Sequence, residues 1–176
     1  MFILDFPTLR QTYNYDCGAI ALQSVLVYYG VELREDILLK EAGTTKRVGT
    51  PVRGLKRVAR KHGFSCQVKQ MTIEQVIASI KKKKPVILLL QAWTGLKKID
   101  WEHDWVDGHY VVAIGFDEKN VYFEDPSSFT RTFLSFKELG DRWHDIDSNK
   151  NVFDHIGITL SKKRIAKSFH EPVHMD

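Results

Sequence analysis

Cysteine is scarce in this chain, with 2 residues among 176. That is too few for a disulfide framework, and a reducing, cytoplasmic setting is the simpler expectation. Long apolar runs are also lacking. The longest, Val86 to Leu90 after Pro85, falls far short of the roughly 20 residues that a membrane-spanning helix needs, so it reads as a buried strand. The start, Met1 to Pro7, is apolar but has neither a basic n-region nor a full hydrophobic stretch, which argues against a signal peptide. Repeats, low-complexity tracts and linkers are absent. Net charge is only +4, and the basic residues are not interleaved with aromatics into a nucleic-acid motif, so no nucleic-acid partner is expected. Two His/Asp-rich stretches, Trp101 to Asp107 and Arg142 to Asp147, lack the fixed spacing of a zinc or calcium site. No metal and no cofactor are expected.

What is present suits a globular protein: hydrophobic content is 43% and charged content 27%. The length fits one domain over 1–160, a monomer, followed by a basic tail over 161–176 that reads as a frayed end. The stretch around which the rest is organised is Gln11 to Leu22. Cys17 opens a helical pattern there, with Ala21, Leu22, Val25, Leu26 and Tyr29 on one face and Gly30 as the stop. Asp16 is the expected N-cap, which places Cys17 at the first helical position. Free N–H groups and the positive end of the helix dipole favour an anion at that point. Cys17 therefore reads as a thiolate nucleophile, although a cysteine taken alone is more often a small core residue. Gln11, six residues upstream, can offer a side-chain amide to an oxyanion. Cys66 has neither a helix start nor an upstream glutamine, and it reads as buried structure.

Helical patterns follow over Val31 to Ala42 and from Pro51 to Gly63, with Thr50 as the expected cap of the latter. Phe64 to Lys69 alternates as a strand. Thr72 with Gln75, and later Ser135 with Glu138, have the spacing of capping boxes. In the second half, Gly108-His109-Tyr110-Val111-Val112 opens a buried strand with His109 at its start, and a second strand closes on Asp125-Pro126. His109 and Asp125 thus stand at the open ends of one hairpin. Whether they share a face depends on a register that the spacing leaves open. The loop Ala92 to Asp107 carries Trp93, Trp101 and Trp105, which read either as the wall of a substrate groove or as a plain packed loop, and Gly108 would let something approach closely. Helices before strands imply an α+β fold, with helices packed on an antiparallel sheet.

The combination of Gln11, Asp16-Cys17-Gly18, Tyr28-Tyr29-Gly30, Gly108 to Val112 and Asp125-Pro126 resembles the papain-like cysteine peptidases. It is most similar to the bacteriocin-processing peptidases that cut after a double-glycine leader, usually as a domain of peptide-exporting ABC transporters. The resemblance implies a papain-like fold with Cys17 as nucleophile, His109 as base, Asp125 as its orienter and Gln11 as oxyanion donor. It implies a peptide or protein substrate and association with a peptide exporter. Trp101, Trp105 and Gly108 are the candidate substrate contacts. No transmembrane or ATPase segment follows in this sequence, so a stand-alone domain is expected. The same constellation would also serve acyl transfer or glutamine deamidation, and a non-cleaving peptide-binding module is the third alternative.

Overall fold

The computed structural model describes residues 1–162 and 174–175. The tail expected over 161–176 lies almost wholly outside the described residues; Ser161 itself completes the last strand. After a two-residue strand β1 (Phe2–Ile3), three helices come first: α1 (Cys17–Tyr28), α2 (Glu35–Ala42) and α3 (Val52–Lys61). Strand β2 (Ser65–Gln70), helix α4 (Ile73–Lys81) and strand β3 (Val86–Gln91) follow, then β4 (Gly108–Phe116), β5 (Asn120–Glu124) and β6 (Thr132–Ser135). The chain continues through α5 (Phe136–Arg142), a short ribbon of β7 (His144–Ile146) and β8 (Val152–Asp154), and β9 (Ile156–Ser161).

The main sheet runs β2-β9-β3-β4-β5-β6, with β1 also paired to β4, and all of its pairings are antiparallel. Its order is not a simple meander. The last strand, β9, inserts between β2 and β3, so the two halves of the chain are interleaved in one sheet. The middle is apolar on both sides: β3 is buried along its whole length, as is most of β4. A strand covered on both faces reads as a continuous hydrophobic run, which is why Val86 to Leu90 lacks alternation.

Helix α1 differs from the expected single buried face. Gly18 to Leu22, Ser24 to Leu26 and Tyr28 are all buried, so the helix is wrapped nearly all round, as core helices are. Its start is also capped differently. Asp16 occupies the N-cap position, but its carboxylate turns back to accept the Tyr13 N–H. The helix-start donor of Ala19 is instead taken by the Thr50 hydroxyl at 3.1 Å. Thr50 therefore does not cap α3, as its spacing suggested. Pro51 takes that N-cap position, with extended backbone and no side-chain cap bond. Both expected capping boxes, Thr72 with Gln75 and Ser135 with Glu138, form in full.

Candidate active site

Cys17 is the first residue of α1, half-buried and free of any disulfide. Gly18 behind it is required by packing: a Cβ there would lie 2.8 Å from the Tyr110 ring and 2.9 Å from the Thr50 side chain. This close approach seats the start of α1 on β4, one residue from His109. The Tyr110 hydroxyl donates to the Thr50 carbonyl at 3.1 Å, so helix, loop and strand are tied together at that point.

His109 is buried at the beginning of β4, and its Nε2 donates to Asp125 Oδ1 at 2.8 Å. Cys17 is the other group that acts on this imidazole, and with Nε2 taken by Asp125 the remaining ring nitrogen is Nδ1. Burial disfavours the imidazolium. The hydrogen bonds and charges of Asp125 and Cys17 outweigh that penalty and push the His109 pKa up to about 9. Asp125 is buried too, and burial raises a carboxyl pKa. Its bond to His109, the Ser127 N–H and the Trp93 indole N–H hold it below its usual value instead.

Gln11 joins this group through the loop that follows Asp125. Its backbone N–H donates to the Pro126 carbonyl at 3.0 Å, and its side-chain Oε1 accepts from the Ser127 hydroxyl at 2.8 Å. Its Nε2 gives one hydrogen to the Tyr13 carbonyl at 2.8 Å, and an amide nitrogen carries a second. Arg10, just before Gln11, and the buried Glu124, just before Asp125, reinforce the junction as an ion pair. Burial raises the Glu124 pKa and Arg10 opposes it. Two chain segments more than a hundred residues apart are thus clamped side by side.

The matching family model, described as the peptidase C39 family, covers residues 5–146, a span that contains Gln11, Cys17, His109 and Asp125. The chain belongs to the peptidase C39 family. Solved structures of this fold include the peptidase domain of Streptococcus ComA, a bifunctional ABC transporter involved in quorum sensing. It aligns at a TM-score of 0.67 and 21% identity, over 88% of this chain and 97% of that one. A C39-like peptidase from Bacillus anthracis aligns at 0.67 and 18% identity, over 93% and 98%. A double-glycine-motif protease from an AMS/PCAT transporter, in complex with its leader peptide, aligns at 0.58 and 21% identity, over 88% and 90%. An uncharacterised protein of Methanothermobacter marburgensis is 28% identical over 126 residues, 72% of this chain and 75% of that protein. The papain-like α+β fold expected from the resemblance is the fold observed.

The remaining candidate residues of this C39 chain sit around the β7–β8 ribbon. The close approach that Gly108 permits is made by Asp145, whose carboxylate would lie 2.7 Å from a Cβ at that position. Trp105 packs on His144 with ring centroids 4.4 Å apart, and the Arg142 guanidinium lies 4.0 Å from the Trp101 ring centre. These contacts fasten the loop between β3 and β4 to β7 and α5. Among the described residues no group of His, Cys, Asp and Glu could hold a metal ion, and no helix is long and apolar enough to cross a membrane. Cys66 is buried in β2, and burial pushes its thiol pKa up.

Two contributors serve in roles other than those their sequence positions suggest, a cap of α3 for Thr50 and a groove wall for Trp93. Thr50 caps α1 from another segment, and Trp93 donates its indole N–H to Asp125 Oδ2 at 3.1 Å. Neither carries a local signal, because each bond joins distant parts of the chain.

Proposed function

We propose that this chain is a cysteine peptidase acting on peptides with a double-glycine-type leader. In this reading Cys17 is the nucleophile, His109 the acid–base group, Asp125 its orienter, and Gln11 an oxyanion donor. The observation that carries it is the His109–Asp125 pair beside a thiol at a helix start. The imidazole is held on one nitrogen by a buried carboxylate, and Cys17 at the first position of α1 acts on it as well. The raised His109 pKa keeps the imidazolium present at neutral pH, the state that accompanies a thiolate.

The chemistry follows from those positions. The Cys17 sulfur attacks the scissile carbonyl carbon, a C–S bond forms, and the carbonyl π pair moves onto oxygen. The resulting oxyanion accepts hydrogen bonds from the Cys17 N–H and the second Gln11 Nε2 hydrogen. When the carbonyl re-forms, the C–N bond breaks and the leaving amine takes the His109 proton. The neutral imidazole next accepts a proton from water as that water attacks the thioester. Collapse of this second intermediate expels the Cys17 thiolate and restores the pair. Asp125 keeps the ring oriented and balances its charge throughout.

The double-glycine substrate is supported by family membership and by the likeness to a protease seen with its leader peptide. On the same grounds a peptide exporter is the proposed partner. The test is mass spectrometry of synthetic double-glycine leader peptides incubated with wild type and with Cys17→Ala. Cleavage after the glycine pair by wild type alone is expected. Cleavage that persists in Cys17→Ala would refute the nucleophile, and indifference to replacement of the glycine pair would refute the substrate class.

A further inference from the structure

Asp125 is almost completely buried, with 2% of its surface exposed, so each carboxylate oxygen needs a donor within the protein. Oδ1 is well supplied by the His109 ring and the Ser127 N–H, both at 2.8 Å. Oδ2 has less. The Thr132 hydroxyl stands off at 3.4 Å, and the Trp93 indole N–H at 3.1 Å is its shorter contact.

Trp93 reaches that oxygen in an unusual conformation. It begins the long loop after β3, directly beyond the point where the Ala92 N–H bonds to the Asp107 carbonyl. Its φ is 64°, in the left-handed region that a side chain bearing Cβ adopts at a cost. The residue as a whole remains 58% exposed, so burial gives little return for that backbone. The turn carries the indole over a small apolar cavity lined by Leu90, Val111, Phe123 and Leu134, one residue from each of four neighbouring strands. The polar end of the ring lands on Asp125.

We propose that Trp93 is a positioning residue for the proposed triad: its indole N–H holds Asp125 Oδ2, fixing the rotation of the carboxylate that faces His109. The inference rests on the assignment of Cys17, His109 and Asp125 made above. Two consequences follow. The donor keeps Asp125 ionised to lower pH than burial alone would allow. It also blocks rotation of the carboxylate about its last torsion, which would lengthen the bond to His109.

The experiment measures the rate of Cys17 alkylation by iodoacetamide between pH 4 and pH 10, located by peptide mass spectrometry. It compares wild type, Asp125→Ala, Trp93→Phe and Trp93→Gly. The phenylalanine variant keeps a ring and removes the N–H. The glycine variant removes the ring and suits the positive φ. Both Trp93 variants should move the acid edge of reactivity upward by about half to one pH unit, and Asp125→Ala by more. A Trp93→Phe profile that overlays wild type, with Asp125→Ala displaced, overturns the role of Trp93 and leaves the triad standing. So does displacement in Trp93→Gly alone, which would assign the effect to ring bulk. If Asp125→Ala itself overlays wild type, the triad reading fails and the role of Trp93 falls with it.

Discussion

Asp125 lies on the same face of the sheet as His109 because β4 carries one more residue than β5 around Ile114. From the turn, Phe116 pairs with Val121 and Gly115 with Tyr122; past the bulge, Ala113 pairs with Phe123 and Val112 with Glu124. Continued without the bulge, the first register would set Asp125 opposite Val112, facing away from His109. The shift sets it opposite Val111 instead, two residues along the same face from His109. β1 presses against the bulge, and a Cβ on Gly115 would lie 2.6 Å from the Phe2 carbonyl. The alignment of the His109–Asp125 pair thus depends on an irregularity placed several residues away.

The two thiols should be distinguishable. Cys66 is buried and its ionisation is opposed by burial, whereas Cys17 is half-buried beside His109. Substoichiometric iodoacetamide near neutral pH should modify Cys17 first and abolish turnover. Faster labelling of Cys66 would contradict the assignment of the nucleophile.

The His109 pKa gives a signed pH dependence. It is raised from 6.5 to about 9, so its contribution to stability is fully present below pH 6.5 and is lost as pH rises through about 9. The gap in Tm between wild type and His109→Gln should therefore narrow from neutral pH to pH 10. The alkaline limb of kcat/KM should fall near pH 9 in wild type and move down toward neutrality in Asp125→Ala. A limb that stays in place in that variant would show that Asp125 does not set it.

Gln11 should act only as charge develops on the substrate oxygen. Gln11→Ala should lower kcat by about a hundred- to a thousand-fold with little change in KM, the usual effect of removing one oxyanion donor. Steady-state kinetics across pH tests the separation of roles: this variant should keep both limbs of the wild-type profile. A displaced limb would mean that the Ser127–Gln11 link, rather than the amide donor, is what matters.

Gly18 should tolerate no side chain. Gly18→Ala would force the start of α1 away from Tyr110 and Thr50, at a cost of about 1–3 kcal/mol, the range for overpacked cores. Denaturant unfolding should show a lowered midpoint, and Cys17 alkylation should lose its preference over Cys66. An unchanged midpoint would mean that the contact relaxes freely.

Much of the local structure was legible in the chain itself. The two capping boxes, the Cys17 helix start and the runs of β3 and β4 are short-range patterns, and each formed where expected. The β7–β8 ribbon was not legible, because three-residue strands are too short to show alternation. Gly108 reads along the chain as a site of close approach, but its partner, Asp145, lies in that ribbon.

By itself the amino-acid order determined which local element presents each side chain of the proposed triad: Cys17 on a helix start, His109 at the head of a strand, Asp125 at the end of another. The tertiary structure alone decided that they meet. Periodicity reports which residues of one strand share a face, but not the pairing register between strands, and here a single bulge reverses which face Asp125 takes. Non-local hydrogen bonds are equally invisible along the chain. The Thr50 cap on α1, the Ser127 bond to Gln11 and the Trp93 bond to Asp125 each join segments at least 31 residues apart, and their geometry exists only once the core has packed.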